Sequence, residues 1–243
     1  MARHDLWDLF KTYFLTRREL SRLLVLALVF AFIVSFRTAT HVSSLEEQRA
    51  VWVTSFIVVF IVVLIHDLGH HFVAYKRSLE PVLEISYYWL FFSILVMVLS
   101  RGYVQLFFGE KMFPKSLRVH RLGHFSYHEG RKDLGYVALA GPFVSMVLGA
   151  VCVALSVYFD SSILLPELAK FSFAYALMTF LPLPHLDGLL FFFHSRSGYA
   201  LIFGAILGFG VFATAGISIF GASVLSIIMA FMFWYVFAFM VEK

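Results

Sequence analysis

From Tyr199 to Val241 the chain runs 43 residues without one Asp, Glu, Lys or Arg. A helix crosses the hydrocarbon of a bilayer in about 20 residues. This run is therefore read as two membrane spans, turning near Gly216–Gly221. No water-soluble core of this size can bury such a segment together with the rest of a chain that is 61% hydrophobic and 14% charged. Soluble domains carry about 45–50% apolar and about 25% charged residues. Lipid must be the solvent for much of the surface, and the fold class expected is an all-α polytopic membrane protein. Gly204 and Gly208 form a G-x-x-x-G in the final run, a pattern that marks close helix packing.

Apolar length places the other spans at Leu20–Phe36, Val51–Tyr75, Val82–Ser100, Gly135–Phe159 and Leu168–Leu183. The Met1–Arg22 segment is too long and too mixed for a signal n-region, so Leu20–Phe36 is read as a retained span. Orientation follows from Lys and Arg, which accumulate on the cytoplasmic side. Arg3, Lys11, Arg17, Arg18 and Arg22 put the N-terminus inside. The loop holding Arg37, Glu46, Glu47 and Arg49 reads as external, and Lys76 and Arg77 bring the chain back in. Residues 101–135 then carry seven cations: Arg101, Lys111, Lys115, Arg118, Arg121, Arg131 and Lys132. A single crossing by Val82–Ser100 would strand them outside, whereas a re-entrant or interfacial element keeps them inside. The expectation is about six transmembrane helices plus that element, with both termini cytoplasmic, although the apolar density of residues 94–99 fits a seventh span nearly as well. The net charge of +4 is distributed loop by loop, which argues for a lipid bilayer partner and against nucleic acid. Cys152 stands alone, so no intrachain disulfide forms, and it reads as a small packed hydrophobe.

Of fifteen acidic residues, two fall well inside apolar segments, Asp67 and Asp187. An ionisable side chain at membrane depth costs roughly 2.5–3.5 kcal/mol on insertion scales and marks an interior functional site. Histidines flank both: His66, His70 and His71 beside the first, His185 beside the second. His66 and His70 are four apart, so a helix presents them one turn above each other on one face. That spacing suits two imidazoles on one tetrahedral zinc, whose usual third protein ligand is a carboxylate. Asp187 is the candidate besides Asp67. The competing reading is a hydrogen-bonded histidine pair at a helix interface. Counted back from Lys76, both histidines lie roughly 9–15 Å below the cytoplasmic edge, the depth that six spans also give Asp187. Leu181-Pro182-Leu183-Pro184 must interrupt the preceding helix, either beside a water-filled cavity or at the membrane edge. His120, His124 and His128, with Glu129, repeat at four-residue spacing among arginines and read as a solvated loop.

His66-Asp67-Leu68-Gly69-His70, Ala138-Leu139-Ala140-Gly141-Pro142 and Leu181-Pro182-Leu183-Pro184-His185-Leu186-Asp187-Gly188 together resemble the site-2 protease family of intramembrane zinc metalloproteases. Their order and separation match its H-E-L-G-H, A-G-P and N-x-x-P-x-P-x-L-D-G motifs. The resemblance covers residues 51–188 and implies one integral membrane domain over 1–243: an N-terminal segment and first span in 1–50, a metalloprotease-like core in 51–188, and two C-terminal spans in 189–243. It implies one Zn2+ held by His66, His70 and Asp187, and hydrolysis of peptide bonds in transmembrane protein substrates by metal-activated water. Asp67 stands where the family has its Glu base, about 1.5 Å shorter in reach. A shortfall of that order costs on the order of 100-fold in rate. Thr179 stands where the family has an Asn that donates to the developing oxyanion. Gly102-Tyr103-Val104 is similar to the family's short cytoplasmic strand, which implies a β segment that binds extended substrate. An active protease is the first expectation. A pseudoprotease that binds zinc and membrane helices without cutting is the second, and a metal transporter the third.

Overall fold

In the computed structural model the described residues are 16–42, 44–77, 79–116, 131–159 and 163–240. The candidate histidines at 120, 124 and 128 lie outside them. The chain opens with an antiparallel helix pair, α1 (Arg17–His41) and α2 (Leu45–Lys76). Thr16 and Glu19 close a capping box on α1, the Glu19 amide donating to Thr16 Oγ1 at 3.3 Å and the Thr16 amide to Glu19 Oε2 at 2.9 Å. Ser44 caps α2 in the same way through the Glu47 amide. Both caps satisfy donors that the first helical turn leaves open. Phe32 stacks on Trp52 at 5.3 Å, which sets the register of the pair.

After α2 come strand β1 (Leu79–Ile85), helix α3 (Tyr87–Leu99) and strand β2 (Glu110–Ser116). The strands pair antiparallel, Leu79 opposite Ser116 and Ile85 opposite Glu110. The chain thus leaves the sheet at Ile85 and returns to the residue opposite it. Two sequence expectations change here. The apolar stretch at 82–100 is half of a strand followed by a 13-residue helix; β1 alternates buried and part-exposed positions, a period too short within 82–85 to stand out before Ser86 and the apolar helix that follows. Gly102-Tyr103-Val104 is not a strand. Arg101 (φ 54°) and Gly102 (φ 81°) turn the chain sharply after α3, in the left-handed region that glycine adopts without strain. A Cβ on Gly102 would lie 3.0 Å from that of Arg37, and the Arg37 guanidinium sits 4.1 Å above the Tyr103 ring.

The remaining helices are α4 (Arg131–Ser156), α5 (Leu164–Thr179), α6 (Asp187–His194), α7 (Arg196–Thr214) and α8 (Ile219–Met240). Five of the described helices, α1, α2, α4, α7 and α8, are long and apolar enough to cross a membrane; α5, at 16 residues, is shorter. The final apolar run divides as expected, with Gly216 (φ 81°) at its turn. Cβ atoms on Gly204 and Gly208 would each come within 3.0 Å of α8 Cα atoms, those of Ala230 and Ser226. These glycines therefore let two backbones approach, the role expected of G-x-x-x-G. The core centres on α1, α2 and α5, where Phe30, Phe107, Phe171 and Tyr175 pack edge-on and stacked.

Candidate metal centre

Helix α2 buries His66, Asp67, His70 and His71 together, each with at most 1% of its surface exposed. Helical spacing brings the Nε2 atoms of His66 and His70 to 3.2 Å from each other. The third member arrives from far along the chain. Helix α5 stops at Thr179, and α6 begins at Asp187. The break occupies Phe180–Leu186, including both prolines, whose rings cannot continue a helix. His185, at φ 73°, turns the chain, and Trp89 Nε1 of α3 donates to the Pro184 carbonyl at 3.1 Å. The turn aims Asp187 Oδ2 at both imidazoles, 3.4 Å from His66 Nε2 and 3.2 Å from His70 Nε2.

Three ligand atoms thus stand 3.2–3.4 Å from one another. Bonds of about 2.05 Å meeting at the tetrahedral angle would separate their outer ends by about 3.3 Å. These three residues are the one group of this kind among the described residues, and the buried cluster can hold a metal ion.

The far side of each imidazole is also fixed. His70 Nδ1 donates to the Val137 carbonyl at 2.7 Å, and His66 Nδ1 lies 2.9 Å from Ser145 Oγ. Both partners belong to α4. An Nδ1 that donates leaves the Nε2 lone pair free for a metal. Gly141, also on α4, sits directly over the cluster: its Cβ would collide with His70 Nε2 and lie 2.6 Å from His66 Nε2. On the same principle, Ser145→Ala is expected to weaken metal affinity about 10–100-fold without unfolding the protein. Competition against a coloured chelator measures this; unchanged affinity would show that the hydroxyl does not orient His66.

The helper residues are placed differently. Asp67 turns its carboxylate toward His71, whose Nδ1 lies 3.5 Å from Oδ2 while donating to the Asp67 carbonyl at 3.0 Å. Neither Asp67 carboxylate oxygen has a hydrogen-bond partner among the described residues. The Thr179 hydroxyl donates within its own helix, to the carbonyls of Tyr175 and Ala176. Gly102, Tyr103 and Val104 are not brought to the centre. They rest against the far end of α1. By the Phe32–Trp52 stack that end lies level with about residue 47 of α2, roughly 28 Å of helix from His66.

Compared with known proteins, the chain matches no family model, no curated protein and no solved structure. What the centre can do is therefore read from its own atoms.

Three of its members escaped the sequence reading. Ser145 follows Gly141 by four residues, one turn of the same face, so a helical wheel on the A-G-P segment would have found it. Tyr175, whose ring centroid lies 4.8 Å from that of His66, had no signal beyond being a tyrosine in an apolar helix. Glu110 borders an apolar stretch instead of interrupting one, so the sequence carries no sign that it is buried and accepts a hydrogen bond from the Tyr175 hydroxyl.

Proposed function

We propose that this protein is a multi-pass membrane zinc metalloprotease of the site-2 type, cutting peptide bonds of transmembrane protein substrates. One observation carries the reading. A helical histidine pair and a carboxylate from a proline-broken helix converge, buried, at mutual distances of 3.2–3.4 Å. Two nitrogens and one oxygen on a tetrahedral frame suit zinc, with the fourth position open to water. Zinc held there supplies Lewis-acid activation of water and polarisation of a peptide carbonyl. The Val137 carbonyl, which can only accept, keeps His70 in the ligating tautomer, Ser145 holds the His66 ring in place, and Gly141 keeps the space over them clear. The Phe180–Leu186 break adds non-helical backbone beside the cluster, which lipid does not tolerate but a wet cavity does.

The charge pattern supports six crossings, the sixth being the broken α5–α6 pair, and a re-entrant β1–α3–β2 excursion. Arg22 of α1 donates to the Leu83 carbonyl of β1. Arg77, just past α2, pairs with Asp133 of α4 at 2.7 Å. These links gather the cation-rich ends at one side, which the positive-inside rule makes cytoplasmic, with both termini there.

A second reading, a zinc-binding pseudoprotease, is favoured by the Asp67 carboxylate lying toward His71. Cleavage of a reporter transmembrane substrate by the purified chain separates the two. Native protein is expected to cut, and His66→Ala to fall to background. Cleavage that appears only in Asp67→Glu would establish the pseudoprotease instead, and cleavage untouched by His66→Ala would remove the metal from the reaction.

A further inference from the structure

We propose that Glu110 is the proton-accepting carboxylate of this metal centre, an inference that rests on the protease reading above. A carboxylate is costly to bury without a partner, and Glu110 lies almost wholly inside the protein. Its Oε2 accepts a hydrogen bond from the Tyr175 hydroxyl. Its Oε1 has no partner among the described residues. Tyr175 in turn lies edge-on to the His66 ring at 4.8 Å, so Glu110 stands one phenol away from the ligating imidazoles.

The charges facing Glu110 are those of the centre itself. When protonated, His66 and His70 attract its carboxylate, while Asp187 and Asp67 repel it. Asp67 is the alternative base, but it is the shorter acid, and its carboxylate is turned to His71. Glu110 is one methylene longer than Asp67, and its Oε1 is not committed to a partner among the described residues.

The backbone holds Glu110 in place. It opens β2 opposite Ile85, and the Ser86 amide donates to the Gly109 carbonyl at 2.8 Å. Gly109 is wedged so closely that a Cβ there would lie 2.6 Å from Leu90 Cδ2 and 3.2 Å from Leu26 Cδ2. A functional group on such a support keeps its geometry.

Burial pushes the Glu110 carboxyl up from its ordinary range, and positive charge on the imidazoles opposes that rise. A base works best when it titrates near the operating pH. In the proposed step, the oxygen of water bonds to the peptide carbonyl carbon and one water proton passes to Glu110. The same proton is then delivered to the amide nitrogen as the carbon–nitrogen bond breaks. The other stays on the new carboxylic acid, and nothing is oxidised or reduced.

The test loads the full-length protein in detergent with cobalt(II) and follows its visible spectrum against pH, a readout independent of cleavage. The native spectrum is expected to show a transition between roughly pH 5 and 9. Glu110→Gln should abolish it or move it by more than about one unit, and Asp67→Asn should leave it in place. Tyr175→Phe removes the donor that favours the charged carboxylate, so it should shift the transition to higher pH; this arm stands even if Glu110→Gln fails to fold. In cleavage, Glu110→Gln should lose about 100-fold or more with bound zinc unchanged, while Glu110→Asp recovers part of the rate. A transition unmoved in Glu110→Gln and Tyr175→Phe, or lost only in Asp67→Asn, overturns the inference. Native protein that binds no cobalt overturns the metal centre and this inference together. Cobalt binding with the Glu110-dependent transition but no cleavage of any substrate removes the protease reading and keeps Glu110 in the centre.

Discussion

Gly141→Ala is expected to yield a folded protein that has lost its metal. Helix propensity alone predicts the opposite sign of harm, since alanine is favoured over glycine in a helix interior by about 1 kcal/mol. Position 141, however, faces the ligand cluster. The added methyl would collide with His70 Nε2 and come within 2.6 Å of His66 Nε2. Those nitrogens are the far ends of side chains, so the imidazoles can swing aside while the backbones of α2 and α4 stay packed. Swinging aside destroys the 3.2 Å approach of the two nitrogens. Bound zinc should fall from about nine-tenths of an ion per chain to less than about a tenth, which at fixed free zinc is a loss of about 80-fold or more in affinity, or about 2.6 kcal/mol. Elemental analysis reads the metal, and circular dichroism in detergent reads the fold. Full zinc occupancy in a folded Gly141→Ala variant would show that the ligands do not meet beneath this glycine.

Asp187→Asn tests the longest-range contact in the centre. An apparent zinc-binding energy of about 12 kcal/mol divided over four ligands gives about 3 kcal/mol for one of them, or roughly 150-fold in affinity. The amide keeps the size of the carboxylate and the break between α5 and α6, so packing should survive. Thermal unfolding supplies a second readout. Metal that binds the folded state stabilises it by about 2.7 kcal/mol at a hundred times its Kd. A chelator should therefore lower the melting temperature of the native protein and leave Asp187→Asn unchanged. Thr179→Ala is the control, because its hydroxyl is occupied by carbonyls of its own helix and its loss should not alter zinc content. Equal zinc affinity in native and Asp187→Asn protein would take the carboxylate out of the coordination set.

Much of the architecture is local enough to be written in the chain. Residues 199–241 divide into two helices because a charge-free run of that length has one comfortable solution in lipid, and Gly216 supplies the turn. His66 and His70 share a face because they are four residues apart on a helix. Leu181-Pro182-Leu183-Pro184 prevents the preceding helix, α5, from continuing because proline offers no amide. The excursion after α2 was legible only in outline: the chain leaves the sheet at Ile85 and comes back to pair at Glu110, while Gly102 at its tip lies beside Arg37 of α1.

What local pattern cannot supply is which side chains from distant segments share a buried space. The β strands were misplaced because β1 runs straight into an apolar helix, and their pairing, not their composition, is what makes them strands. Gly102-Tyr103-Val104 looked like a strand, but close packing on α1 fixes it as a turn. The orientations of Asp67 and Thr179 were likewise decided by their neighbours, His71 and their own helix carbonyls. Glu110 is the sharpest case. Its sequence neighbourhood gives no hint of burial, and only the return of the chain from α3 places it against Tyr175. The sequence by itself pointed to lipid as the solvent, to the five described helices long and apolar enough to cross it, and to His66, His70 and Asp187 as a candidate set. The tertiary structure decided the distances among them and which acids stand near, because electrostatics and coordination act through space, over a few ångströms, whatever the separation along the chain.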